Sequence, residues 1–189
     1  MGNYNNKILI LSALQEETNN QIFLDKNNEE IKIIYTGVGK INAAISTLEV
    51  CNSYPNLEMI INFGTAGSDT IPVGGLIGCS KFIQRDMDVR NLGFDLGETP
   101  YENTPKILEF KNKFLPYNKD IICGTGDNFC ENINYDLVDM ESYSIAKICW
   151  LNKINFISYK YISDNGNGDQ WKNNINKGIE KFKKIIWKL

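Results

Sequence analysis

The sequence predicts an α/β domain in which a sheet of buried strands is covered by helices. Residues 7–14, 59–63 and 154–162 are continuous apolar runs rather than alternating ones, which is typical of strands buried on both faces. Residues 31–36 form another such run, and a glycine turn and a helical apolar spacing follow it. The apolar residues between 171 and 186 recur at helical spacing opposite a lysine-rich face, which predicts one amphipathic helix packed on the sheet.

Length and charge narrow the class of protein. A chain of 189 residues that is 42% hydrophobic suits one compact domain, which we expect to span 1–189. The net charge of -3 argues against binding nucleic acid. The apolar runs are far shorter than the ~18 residues of a membrane helix, and the N-terminus shows no secretory signal. We therefore expect no nucleic-acid or membrane partner.

The cysteine and histidine content limits the chemistry. The five cysteines form an odd set without C-x-x-C spacing, and several lie in apolar runs, so we expect reduced core thiols in a cytoplasmic protein. The chain has no histidine, which argues against a zinc site and removes Ser-His and Cys-His nucleophiles. Acid/base chemistry must therefore rest on Asp, Glu, Lys, Tyr or Cys.

The first two strands each end in a candidate functional turn. The strand at 7–14 runs into Glu16 and Glu17, at the sheet edge where open α/β folds build their sites, so we expect one of the two acids to face a cleft. The strand at 31–36 runs into Gly37-Val-Gly-Lys40. This turn lacks the full dinucleotide and P-loop patterns, so tight strand-to-helix packing is the favoured role and phosphate binding the alternative.

The middle of the chain supplies two more strand ends. The strand at 59–63 leads into Gly64-Thr-Ala-Gly-Ser68, where small residues let a ligand approach the backbone and Thr65 offers a hydroxyl. Residues 73–84 predict a strand with a glycine break, and the segment from Arg85, which contains both arginines of the chain, reads as a solvated loop. A short strand from residue 121 ends in a glycine turn, and Phe129 beyond this turn either stacks on a flat ligand or packs in the core.

Two further acids lie at the ends of the last apolar runs. Asp139 precedes a run with helical spacing and is a candidate N-cap, and Glu141 then fits either a site residue or a solvated first-turn acid. Asp164 leaves the strand at 154–162 for a glycine loop, where burial would favour its protonated form. The alternative for Asp164 is a simple Asp-Asn-Gly turn.

Seven motifs, taken together in their order, resemble one family. They are 13–17, 36–40, 62–67, 88–94, 126–129, 138–141 and 162–164. The chain is similar to the nucleoside phosphorylase/nucleosidase superfamily, and most of all to the methylthioadenosine/S-adenosylhomocysteine nucleosidases. The resemblance implies a single-domain, three-layer α/β fold whose central sheet is mixed, partly barrel-like and flanked by helices.

The resemblance also implies a role for each candidate site residue. Glu17 corresponds to the acid that activates the attacking water, and Asp164 to the acid that protonates adenine N7, with Ser163 positioning it. Glu141 corresponds to the carboxylate that accepts hydrogen bonds from the ribose hydroxyls, beside Met140. Phe129 corresponds to the aromatic residue that stacks on the base, and the backbone of Cys130 to the group that recognises the purine edge. Thr65, Ala66 and Gly67 correspond to the loop under the ribose.

A lid and a partner subunit are implied as well. Val89, Leu92 and Pro100 fall where family dimers close the pocket over the 5' group, so we expect a homodimer. Arg90 lies in the same segment, and we expect it to meet a polar or anionic 5' group. Lys160 stands where the family usually has arginine. The chain is also shorter than typical members between 18 and 31 and between 100 and 121.

These observations predict a purine nucleosidase that releases adenine from adenosine-type nucleosides without a metal or organic cofactor. Phosphorylases need cations near the ribose for phosphate, and both arginines here lie in one loop. An acid such as Glu17 beside the nucleophile position would repel phosphate and suits water. A phosphorylase and a non-catalytic nucleoside-binding protein on the same fold remain the alternatives.

Overall fold

The computed structural model describes residues 7–112, 115–130 and 133–189. Within these ranges the strands are β1 (Ile8–Ser12), β2 (Phe23–Leu24), β3 (Glu30–Ile31), β4 (Ile33–Tyr35), β5 (Met59–Gly67), β6 (Leu76–Gln84), β7 (Ile107–Glu109), β8 (Asn118–Thr125), β9 (Leu137–Asp139) and β10 (Asn155–Asp164). The α-helices are α1 (Gln15–Thr18), α2 (Lys40–Ser53), α3 (Ser142–Asn152), α4 (Gly168–Asn174) and α5 (Ile179–Ile186).

Eight of the described strands form one mixed sheet, part of which closes on itself. β10 pairs in parallel with β5 and antiparallel with β6, and the order β10-β6-β8-β9-β5 therefore returns to its starting strand. β1 continues outward from β5 in parallel and carries β4, so an open parallel wing extends from the ring. The prediction of a single-domain α/β fold around a mixed, partly barrel-like sheet is confirmed.

Two hydrophobic clusters hold helices against the sheet. One contains residues of α2 and α3, such as Ala43 and Ile145, packed on Leu9 and Ile60. The other contains α5, whose Phe182 ring stacks on Phe63 of β5 with centroids 4.0 Å apart. Burial of these strands from both sides explains why their sequences are continuously apolar.

The predicted C-terminal helix is in fact two helices. The prediction of a single amphipathic helix between 171 and 186 is wrong, because α4 ends at Asn174 and α5 begins at Ile179. Gly178 lies between them, so close to β10 that an added Cβ would be 2.6 Å from Tyr161 Cβ. Of these two helices, α5 packs its apolar face on the sheet, whereas Trp171 on α4 lines a pocket.

Two other local predictions differ from the structure. Asp139 ends β9 and is not the N-cap, since α3 begins at Ser142 and Glu141 occupies the cap position. The strand expected between 73 and 84 begins only at Leu76, after a turn at 73–74, and it passes through Gly78 with a register shift against β8 between Cys79 and Lys81. In both cases pairing with neighbouring strands, which the local pattern does not show, decides the backbone conformation.

Helix α2 exposes several of its large apolar side chains. Ile41, Ile45 and Leu48 are 73%, 53% and 47% exposed, while Ala43 and Val50 are buried. The helical spacing predicted the helix correctly, but the face it marks is a surface stripe. No helix among the described residues is long and apolar enough to span a membrane.

Candidate active site

One pocket lies where β1, β5, β8, β9 and β10 end. Its lining brings together residues that are far apart in sequence: Ala13, Leu14, Glu17, Val38, Thr65, Ala66, Gly67, Arg85, Asn128, Phe129, Cys130, Val138, Asp139, Met140, Glu141, Asp164 and Trp171. Every residue predicted to be catalytic lines it, as do all those predicted to bind substrate except Ser163. Ser163 is fully buried behind Asp164.

Glu17 is held by four hydrogen-bond donors. Its Oε1 accepts from the backbone N–H of Thr65 at 2.7 Å and from the Thr65 hydroxyl at 2.9 Å. Its Oε2 accepts from Ser12 Oγ at 3.0 Å and from the Leu14 N–H at 3.3 Å. The approach requires glycine at position 64, since an added Cβ there would be 2.8 Å from Oε1. Of the two candidate acids, Glu17 is buried and faces the pocket, whereas Glu16 is exposed.

Asp164 ends β10 and is 3% exposed. Its Oδ2 accepts a hydrogen bond from Ser163 Oγ at 2.7 Å, and its Oδ1 accepts from the Gly166 N–H at 2.9 Å. Gly67 on β5 leaves room for this carboxyl, because a Cβ there would lie 3.0 Å from Oδ1. Ser163 thus contacts the carboxyl that it is predicted to position, and the role itself stays a prediction.

Glu141 lies at the start of α3 and is 7% exposed. Its Oε1 accepts from the backbone N–H of Gly39 at 2.9 Å, so the glycine turn after β4 serves this carboxyl. Burial, followed by the charge of Asp139, raises the pKa of Glu141 to about 8. This carboxyl therefore holds its proton near neutral pH.

A buried ion pair lies beside Glu141. Lys160 Nζ on β10 is 2.8 Å from Asp139 Oδ2, and both side chains are 1% exposed. Burial is the largest single effect and alone would lower the pKa of Lys160 and raise that of Asp139. The acidic groups around Lys160, Asp139 first, together raise its pKa, and the charge of Lys160 with nearby hydrogen-bond donors lowers the pKa of Asp139. Hydrogen bonds from Thr125 and Ser142 also stabilise the Asp139 carboxylate. Lys160 therefore neutralises the charge of Asp139, a residue that the sequence predicted only as a helix N-cap.

The predicted lid residues lie outside the pocket of their own chain. Leu92 is 65% exposed, and Val89 and Pro100 are half-buried without lining the pocket. Arg90 is exposed and forms a two-bond ion pair with Asp88, at 2.8 and 2.7 Å. Contact of this segment with substrate therefore stays a prediction, and it requires a second subunit.

Arg85 and Trp171 are pocket residues that the sequence did not reveal. Arg85 reads as a loop residue, but its Nη2 donates to the carbonyl oxygen of Asn128 at 2.6 Å and so holds the loop that carries Phe129. Trp171 reads as a core residue of an amphipathic helix. Neither position carries a local signal, because both reach the pocket through contacts between distant segments.

The closed ring and the carboxylate-lined pocket at its strand ends define an α/β protein of the nucleoside phosphorylase-like fold. A mutant of Helicobacter pylori MTAN, a 5'-methylthioadenosine/S-adenosylhomocysteine nucleosidase, with 5'-methylthioadenosine in its active site, superimposes with a TM-score of 0.80. That match is 18% identical in sequence and covers 98% of this chain and 96% of the other.

This chain belongs to the phosphorylase superfamily, whose family model matches residues 14–189. It is 34% identical to a 5'-methylthioadenosine/S-adenosylhomocysteine nucleosidase of Buchnera aphidicola subsp. Schizaphis graminum, over 71% of this chain and 66% of that one. It is 29% identical to the nucleosidase of Buchnera aphidicola subsp. Acyrthosiphon pisum, over 95% of this chain and 97% of that one. The predicted kinship with the nucleosidase branch is confirmed.

Proposed function

We propose that this protein hydrolyses the N-glycosidic bond of adenosine-type nucleosides related to methylthioadenosine and S-adenosylhomocysteine, and releases adenine. The observation that carries the proposal is the convergence of three buried carboxyl groups, Glu17, Glu141 and Asp164, on one pocket beside Phe129. The nucleosidase relatives and the superfamily match support the same reaction.

The leaving base requires an acid. As the bond between ribose C1' and purine N9 breaks, its electron pair passes to the purine, and protonation at N7 neutralises the developing charge. We assign this proton to Asp164, whose buried carboxyl is held at the pocket by Ser163 and Gly166. General acid catalysis of this kind contributes roughly 10²–10⁴-fold. Phe129, which is 50% exposed at the pocket, is the residue we assign to stacking on the base.

The ribose becomes cationic as the base departs, and water must then bond to C1'. We assign Glu17 as the group that takes the proton of this water. Glu141 is assigned to the ribose hydroxyls, which would donate to its carboxylate and favour the ionised form that burial opposes. Two anionic carboxylates around a cationic sugar stabilise the transition state electrostatically.

The polarity around Glu17 favours water over phosphate. Glu17 is buried, and Asp139 and Glu141 add further acidic groups to the same pocket. Arg85 is a pocket cation, but its guanidinium donates to carbonyl oxygens of the loop after β8, whereas Glu17 accepts from β1, the turn after β1 and β5. A phosphate dianion next to Glu17 would have a carboxylate as its neighbour rather than an arginine.

Adenine release from methylthioadenosine, measured with and without inorganic phosphate, tests the proposal. We expect release at the same rate in both cases, with free 5-methylthioribose as the second product. Release only with phosphate, accompanied by a ribose 1-phosphate, would establish phosphorolysis instead. Binding of methylthioadenosine without release of adenine in either buffer would establish a binding protein.

The exposed stripe of α2 supports a homodimer. Ile41, Ile45 and Leu48 form a contiguous apolar face on the helix that begins at the pocket rim, and Leu92 and Tyr101 are 65% and 96% exposed. A second copy covering these residues would bury them and could bring the segment 89–100 to its partner's pocket. We expect a dimer by light scattering, and a monomer for Ile45→Glu. A monomeric wild type with full activity would refute this assignment.

Cellular context follows from the same proposal. The buried thiols Cys79, Cys123 and Cys149 suit a reducing compartment, so we assign the protein to the cytoplasm. Cleavage of methylthioadenosine would place it in purine metabolism and methionine salvage.

A further inference from the structure

Trp171 lines the pocket, and the reaction described above assigns it no role. It lies on α4, the helix that follows Asp164, and its indole Nε1–H donates to Thr65 Oγ1 at 3.1 Å. A phenylalanine would provide a similar aromatic wall without this donor. The N–H group is therefore the feature of Trp171 that calls for an explanation.

The hydrogen bond from Trp171 fixes the direction of the next one. An indole N–H can only donate, so the Thr65 hydroxyl oxygen must be its acceptor. The single hydroxyl proton of Thr65 is then directed to Glu17 Oε1, which lies 2.9 Å away. The result is a one-way chain of donors from Trp171 through Thr65 to Glu17.

This chain ends on a carboxylate that four donors hold in place. Ser12 is fully buried and two of the donors are backbone N–H groups, whereas the Thr65 hydroxyl lies on the pocket wall. The Thr65 hydroxyl is therefore the donor to Glu17 whose orientation a pocket side chain, Trp171, sets.

We propose that Trp171 is a positioning residue for the general base. Its indole N–H holds the Thr65 hydroxyl in one orientation and thereby keeps Oε1 of Glu17 aimed at the attacking water. The inference rests on the proposed nucleosidase function. Helix α4 is also tied to the acid side of the site, because Asn174 Nδ2 donates to the Ser163 carbonyl oxygen at 2.8 Å. Helix α4 therefore donates hydrogen bonds to Thr65, which contacts the general base, and to Ser163, which contacts the general acid.

Steady-state adenine release by three variants tests the role. Trp171→Phe removes one neutral donor, and we expect kcat to fall roughly 3–10-fold with KM changed less than ~2-fold. Thr65→Val removes the donor to a charged group, and kcat should fall roughly 10–100-fold. The double variant should be no slower than Thr65→Val, because Trp171 acts through the Thr65 hydroxyl. Trp187→Phe, at a site 52% exposed, is the matched control and should keep wild-type rates.

Four outcomes would count against the inference or against the function on which it rests. A Trp171→Phe variant with wild-type kcat and a raised KM would overturn the inference, because Trp171 would then be only an apolar wall. If the kcat losses of Trp171→Phe and Thr65→Val multiply in the double variant, the inference is also overturned, because Trp171 would then act independently of the Thr65 hydroxyl. A wild-type protein that releases no adenine refutes the proposed function itself, whereas an active wild type with an unaffected Trp171→Phe refutes this inference alone.

Discussion

Replacement of Glu141 by glutamine is expected to stabilise the folded protein progressively as pH rises. Burial and the charge of Asp139 raise the pKa of Glu141 from 4.5 to about 8. The folded protein therefore keeps a proton that the unfolded chain releases between these two pH values. Below pH 4.5 Glu141 does not change the free energy of unfolding. This free energy falls as pH rises from 4.5 to about 8, and above pH 8 the loss is complete.

The magnitude follows from the width of this window. Each pH unit within it corresponds to about 1.4 kcal/mol, so the full cost is on the order of 3–5 kcal/mol. Glutamine at position 141 carries no charge at any pH, and its amide oxygen can still accept the hydrogen bond from Gly39. The gain from Glu141→Gln should therefore increase with pH, and most of it should accrue between pH 5.5 and 8.5.

Denaturant unfolding followed by tryptophan fluorescence provides the assay. The measured quantity is the difference in unfolding free energy between Glu141→Gln and wild type at pH 5.5, 7 and 8.5, in which the other titrating groups cancel. We expect this difference to grow by about 3 kcal/mol across the range. Glu16→Gln makes the same chemical change at an exposed position and is the matched control, measured at the same three pH values.

A difference that stays constant from pH 5.5 to 8.5 would refute the reasoning, because Glu141 would then ionise equally in the folded and unfolded states. The same variant should release adenine much more slowly than wild type, since a neutral amide stabilises the cationic ribose less than a carboxylate does. A stability gain together with lost activity is the signature of a group held in a destabilising position for function.

Three further predictions concern the other buried ionisable side chains. Glu17→Gln should lower kcat roughly 10²–10⁴-fold without unfolding the protein, while Glu16→Gln should keep near wild-type turnover. Asp164→Asn should lower kcat to a similar extent in the adenine-release assay, and either wild-type rates or an unfolded variant would count against its role as the acid. Lys160→Met should reduce unfolding free energy by about 3–5 kcal/mol, because it leaves the Asp139 carboxylate buried without an opposite charge. Adding Asp139→Asn should restore most of that loss, and a double variant as unstable as Lys160→Met would show that the charge pair is not the cause.

Much of the site could be predicted because its residues end strands. Continuous apolar runs locate β1, β5 and β10, and acids just beyond such runs are expected at one sheet edge. Glu17 and Asp164 were found in this way, and Glu141 by its place in a family motif. The structure brings all three to the same pocket. The apolar spacing of α2 likewise predicted the helix but not that its marked face lies at the surface.

What depended on long-range pairing could not be predicted. The sequence alone determined the α/β class, most strands and the carboxylates at their ends, because these follow from local apolar patterns. Only the tertiary structure decided that β10 closes the ring, that Lys160 neutralises Asp139, and that Trp171 reaches the pocket. The physical reason is that ring closure, a buried ion pair and an indole hydrogen bond each join segments separated by many residues, and no local pattern records which partner a side chain will meet.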